Sequence, residues 1–142
     1  MVVKTVLCYG TLMRGMRLHD WYCGDALTID PAATTGRLYH LPYGFPAMFD
    51  APNGIVHGEV MTFPNIEKTL ERLDRLEGYH PGDDRCHYLR IAKQITLLPD
   101  GRTLPAWVYV YPESRLREVH RVGTFIPNGF WREFMMSNVT PV

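Results

Sequence analysis

This sequence has no excess of positive or negative charge. Fifteen Lys and Arg stand against fifteen Asp and Glu, a formal net charge of zero over 142 residues. That balance steers the chain neither to nucleic acid nor to an anionic membrane. No apolar run approaches the ~20 residues of a membrane span. The opening Met1–Cys8 lacks the basic region and cleavage site of a signal peptide and reads instead as a buried strand. Cysteine is scarce: Cys8, Cys23 and Cys86 are odd in number and widely spaced, with no Cys-x-x-Cys pair. This argues against a disulfide framework, fits reduced thiols in a cytoplasm, and leaves each cysteine as a small buried hydrophobe. No Gly-x-Gly-x-x-Gly occurs. Gly10 and Gly15 have P-loop spacing, but Met16-Arg17 replaces the Lys-Ser/Thr that grips phosphate and magnesium, so nucleotide binding is rejected. Repeats, low-complexity tracts and linkers are absent too. With 46% hydrophobic and 21% charged residues, the expectation is one globular domain over residues 1–142.

What is present centres on Asn65–Tyr79. Asn65 after Pro64 suits an N-cap, Gly78 suits C′, and no Gly or Pro interrupts the interior, so Ile66–Glu77 is expected to be one amphipathic helix. At about 100° per residue, Ile66, Leu70, Leu73 and Leu76 form one apolar stripe. Glu67, Glu71, Arg72, Asp74 and Arg75 take the flanks and the opposite face. Glu77 falls on the stripe itself, four residues after Leu73. There it loses hydration and meets the negative end of the helix dipole, and both raise its proton affinity toward what a general base needs. The other reading is a frayed last turn that swings Glu77 into water.

Before this helix, Val2–Tyr9 has apolar residues on both faces, as a central strand does, and runs into the Gly10–Gly15 loop. Glycines let such a loop approach a ligand, and its exposed amides can hold a carboxylate or oxyanion. A plain strand-to-helix turn has the same composition. Leu18–Tyr22 reads as a turn of helix. Ala26–Asp30, Thr34–Leu41 and Ala47–Asp50 read as short strands broken by Pro31, Pro42, Pro46 and Pro52. Ile55–Phe63 reads as a longer one that carries His57 and Glu59 on one face, expected as a hydrogen-bonded structural pair. Beyond the helix, His80, Asp83, Asp84 and His87 match no metal-ligand spacing. Tyr88–Leu98 and Leu104–Tyr111 flank Pro99-Asp100-Gly101-Arg102, a hairpin signal. A face gathering Tyr88, Arg90 and one tyrosine row could line a pocket or be ordinary sheet surface. Arg115, Arg117, His120 and Arg121 read as a solvated basic face. Asn128–Asn138 reads as a final helix carrying Phe130, Trp131 and Phe134.

Three segments taken together resemble a family. The strand ending Tyr9-Gly10-Thr11-Leu12, the central Gly58-Glu59-Val60, and Leu73-Asp74-Arg75-Leu76-Glu77-Gly78-Tyr79 followed by Tyr88-Leu89-Arg90 are similar to the gamma-glutamylcyclotransferase-like family. Gly36–Tyr39 and Ala106–Tyr111 are similar as well, and Pro127–Trp131 loosely resembles the family's Gly-Asp-Trp ending. The resemblance implies an α+β fold, a small closed mixed β-barrel with flanking short helices. It implies a pocket between the Tyr-Gly-Thr-Leu loop and a catalytic glutamate matching Glu77. Tyr9, Gly10, Thr11, Leu12 and Tyr88 would contact a small γ-glutamyl substrate, with no metal or other cofactor. The expected activity is release of 5-oxoproline from a γ-glutamyl amine or amino acid by a cytoplasmic enzyme, with Glu77 as acid/base. Two alternatives stand beside it. One is a non-catalytic binding module on the same barrel. The other is an amidohydrolase using Cys8 as nucleophile with His57 or His19 as base.

Overall fold

A computed structural model of the chain describes residues 3–83 and 86–137. In chain order the elements are β1 (Thr5–Cys8), α1 (His19–Cys23), β2 (Thr28–Thr34), β3 (Arg37–His40), β4 (Pro46–Phe49) and β5 (Val56–Thr62). There follow α2 (Ile66–Glu77), β6 (Leu89–Leu97), β7 (Thr103–Val110), a 3₁₀ turn (Glu113–Arg115), α3 (Leu116–Val122), β8 (Thr124–Phe125) and α4 (Trp131–Ser137). Five strands close a mixed barrel in the order β1-β5-β2-β6-β7. β1 is antiparallel to β5, with Val6 opposite Met61, and parallel to β7 through Val6 and Trp107. Paired on both edges, β1 is the central strand that its two-sided hydrophobicity predicts. Val6, Met61, Ile95, Ala106 and Val108 are fully buried.

β2 departs from expectation by running straight through Pro31. The reason is register. Pro31 sits opposite Glu59 of β5, and its carbonyl accepts from Leu98 N–H at 3.1 Å on the β6 side. An antiparallel residue turns its N and C=O to the same neighbour, so the missing N–H falls where the β2–β6 ladder ends at Ala32 and Leu97. The hairpin of β6 and β7 forms as its turn residues dictate: Leu97 N–H bonds Arg102 C=O at 2.8 Å, and Gly101 takes φ 75°.

A second sheet, β4-β3-β8, was not foreseen, nor was α3. The sheet docks on the barrel through Tyr111 N–H to Met48 C=O at 2.8 Å and carries Pro46 to the end of β1. The final helix begins at Trp131 rather than Asn128, because Asn128 and Gly129 form a turn in which Asn128 Oδ1 accepts from Phe130 N–H at 3.1 Å. The expected end at Asn138 lies outside the described residues.

Candidate active site

α2 has the predicted bounds. Asn65 Oδ1 accepts from Lys68 N–H at 3.2 Å, and Gly78 closes the helix at φ 66°, with Tyr79 N–H on Asp74 C=O at 2.9 Å. Leu73 is buried, with Ile66, Leu70 and Leu76 packed on the core. The last turn is therefore held, and Glu77 stays on the inward side. It lines a cavity of about 240 Å³. Burial pushes its carboxyl from the ordinary 4.5 up to about 7. Among the described residues no hydrogen bond or ion pair holds that carboxylate.

The end of β1 and its loop line the same cavity through Tyr9, Gly10, Thr11 and Leu12, as does Tyr88. All six residues expected at the site thus face one hollow. Gly10 does not use positive φ; only Gly15, at φ 82°, does so in this loop. Gly10 serves close approach instead, since a Cβ there would lie 2.7 Å from Pro46 Cγ. Among the described residues, no internal hydrogen bond engages the amide N–H of Gly10, Thr11 or Leu12. The carbonyls of that loop are occupied: Gly10 accepts from Met13 N–H at 3.1 Å, Thr11 from Leu18 N–H at 3.0 Å, and Leu12 binds His19 Nδ1 at 2.9 Å. With its carbonyls pinned and its amides unused, the loop is built to receive an anion or a developing oxyanion.

Tyrosines fix the floor. Tyr9 hydroxyl donates to Tyr109 C=O at 2.5 Å and Tyr88 hydroxyl to Pro46 C=O at 3.0 Å, and burial pushes both phenols well above their ordinary range. They remain protonated donors and cannot serve as bases.

Such a cavity, an acid of raised proton affinity facing unused amides on a barrel, can be set beside known proteins. The family model described as gamma-glutamyl cyclotransferase, AIG2-like, matches residues 6–133. The chain belongs to that family. A protein of Methanocaldococcus jannaschii provisionally named a gamma-glutamylcyclotransferase is 30% identical over 134 residues, 93% of this chain and 98% of its own length. The fold is shared with YkqA of Bacillus subtilis at a TM-score of 0.68 and 22% identity, covering 98% of this chain but 44% of YkqA. It is also shared with an AIG2-like protein of Mus musculus, at 0.62 and 24%, covering 82% of this chain and 84% of that one.

In this gamma-glutamyl cyclotransferase family chain, other expectations need correction. His57 and Glu59 do not pair with each other. Glu59 Oε1 accepts from Arg14 N–H at 2.6 Å and Oε2 meets Arg132 Nη1 at 3.5 Å, while the His57 ring stacks on Phe130 at 4.9 Å. One residue apart in β5 rather than two, they would diverge; two apart, they share a face, but α4 and the loop after β1 reach it first. Cys8 is buried and lines the cavity, yet hydrogen bonding with the Cys23 thiol, and then burial, push its own thiol well above the ordinary range. A thiolate is suppressed there. Neither suggested base helps, since His19 is tied to Leu12 and His57 does not line the cavity. Asp74, on a flank of the α2 stripe, accepts from Arg90 Nε at 2.9 Å and the Tyr109 hydroxyl at 2.7 Å. Asp84 lies outside the described residues, and among the rest no three His, Cys, Asp or Glu cluster to hold a metal. No helix of the described residues is long and apolar enough to cross a membrane.

Residues missed at the cavity include Arg17, Phe45, Pro46, Leu76 and His87, with Tyr109 foreshadowed by the tyrosine row. Pro46 opens β4 and Phe45 directly precedes it; the strands β3 and β4 fall near expected ones, but no local pattern announced their pairing into a separate sheet.

Proposed function

We propose that this protein cyclises a γ-glutamyl amine or γ-glutamyl amino acid to 5-oxoproline and releases the free amine. The observation that carries the reading is that Glu77, pushed by burial to about 7, shares one cavity with the unused amides of Gly10, Thr11 and Leu12. The substrate brings its own nucleophile, an α-amine with a reference pKa near ~8, so a carboxylate of nearly matched proton affinity can take its proton. As the nitrogen bonds to the γ-carbonyl carbon, negative charge gathers on the carbonyl oxygen, where the loop amides stabilise it. The C–N bond to the leaving group then breaks as Glu77 returns that proton to the departing nitrogen, and the ring nitrogen gives up a second proton by way of Glu77 to the freed amine, so that Glu77 ends as it began. Folding the flexible glutamyl chain into attack geometry is the cavity's other task, and such positioning contributes about 7 kcal/mol or more in favourable cases.

The test is incubation with a panel of γ-glutamyl amides while following 5-oxoproline. Glu77→Gln keeps shape and hydrogen bonding but removes the base, and kcat is expected to fall by at least ~10²-fold. Near-normal turnover by that variant would remove Glu77 from its role. Saturable binding by the unaltered protein without product would favour the binding module.

A further inference from the structure

The charged groups of the cavity are few, and one of them has no assigned role. Of the residues that line it, only Glu77 and Arg17 carry side chains charged at neutral pH. His87, also in the lining, is pushed down by burial first and by the neighbouring Arg115 guanidinium next. It accepts Arg115 Nη1 on its Nδ1 at 2.9 Å, which keeps the ring neutral. Arg115 itself is balanced by Glu118 at 3.2 Å. Arg17 has no such balance: among the described residues no carboxylate, carbonyl or ring engages its guanidinium. Its place is nevertheless fixed, because the next residue, Leu18, ties its N–H to Thr11 C=O at 3.0 Å.

Depth separates the two charges. Tyr9, Leu12, Tyr88 and Tyr109 are buried, whereas Arg17 is exposed and stands at the mouth. A substrate whose reacting carbonyl lies between Glu77 and the loop must direct the substituent of its leaving nitrogen toward that mouth. Resting on the cyclisation reading above, we propose that Arg17 is a specificity-determining residue. Its guanidinium receives a carboxylate carried by the leaving amine, so that γ-glutamyl amino acids are preferred over γ-glutamyl amines that are neutral or cationic. A guanidinium fork matches a carboxylate in two hydrogen bonds, and the same charge repels an ammonium.

The experiment compares γ-glutamyl-alanine with γ-glutamyl-ethylamine, which differ only by that carboxylate, and adds γ-glutamyl-1,4-diaminobutane as a cationic leaving group. Each is followed by 5-oxoproline release and by calorimetric binding, with thermal midpoints showing that the exposed substitutions leave the fold intact. The unaltered protein is expected to favour γ-glutamyl-alanine by about tenfold in kcat/KM, a fold-change typical of one charge-assisted contact. Arg17→Ala should bring the ratio near one, Arg17→Lys should keep part of it, and Arg17→Glu should favour the diamine. An unchanged ratio in Arg17→Ala overturns the proposal. A parallel loss on all three substrates overturns it as well, by assigning Arg17 to the shared glutamyl carboxylate. Should the protein bind without turnover, the cyclisation reading falls while the same ratio, read in Kd, still decides for or against Arg17. Should it bind none of the three, both fall.

Discussion

In the proposed cyclisation Glu77 is the acid/base, and its burial predicts a pH dependence of both activity and stability. Burial pushes its carboxyl from 4.5 up to about 7, so the base form is lost as acid is added. The kcat/KM for a γ-glutamyl amide is expected to fall about tenfold per pH unit below roughly pH 7, and Glu77→Gln should lack that limb. Stability moves the other way. Between the two values the folded protein keeps a proton here that the unfolded chain has released, so its stability falls as pH rises through that window. Above it, ionised Glu77 opposes folding by up to about 3 kcal/mol. Glu77→Gln should therefore raise the thermal midpoint at about pH 8 and leave it nearly unchanged at about pH 4, which is beyond the reach of a purely structural carboxylate. A thermal midpoint that fell at alkaline pH would show the carboxylate to be stabilised in place and would leave it a poor base.

One turn earlier, Asp74 decides where α2 sits on the barrel. Its two oxygens take Arg90 Nε at 2.9 Å and Nη2 at 3.3 Å, and Oδ1 also takes the Tyr109 hydroxyl at 2.7 Å. Arg90 meanwhile lies 4.4 Å from the Trp107 ring centre. Removing the carboxylate leaves a guanidinium with most of its surface covered and unpaired, so Asp74→Asn is expected to cost about 2–3 kcal/mol, against about 1 kcal/mol for Tyr109→Phe. Chemical denaturation of both and of the double variant checks this, and because they share one atom their costs should not add. An additive pair would mean that Asp74 does not join the helix to the sheet. The helix itself was legible in the sequence because each of its signals is local: cap, stripe, C′ glycine. Asp74's partners were not, since Arg90 and Tyr109 meet it only after β6 and β7 have paired across the barrel. The Pro31 break failed for the same reason, a ladder end being invisible from one strand.

At the scale of the whole molecule, the last described helix reaches back to the loop that follows the first strand. A closed mixed barrel with flanking short helices was readable through resemblance, and the loop and Glu77 line one cavity. What no local pattern could supply is the closure. The Arg14 peptide, in the loop that lines the site, is gripped on both sides. Its N–H reaches Glu59 Oε1 at 2.6 Å, its C=O takes Arg132 Nη2, and Glu59 and Arg132 approach each other at 3.5 Å. Glu59 belongs to β5 and Arg132 to α4, 118 residues beyond Arg14, so the last helix braces the first loop. Arg132 is partly exposed and touches no cavity-lining residue through these bonds, which makes it a positioning residue rather than a substrate contact. Under the proposed cyclisation, loosening the loop misplaces the amides assigned to bound substrate, so Arg132→Ala is expected to raise KM severalfold for every γ-glutamyl amide alike. The loss of one half-exposed charged contact should cost about 1 kcal/mol in stability. Glu59→Gln retains an oxygen for Arg14 N–H and should be milder than Glu59→Ala, while Arg132→Lys should restore part of the lost KM. If Arg132→Ala lowers the thermal midpoint but leaves KM where it was, α4 is holding the barrel together rather than shaping the loop, and the amides keep their aim without it.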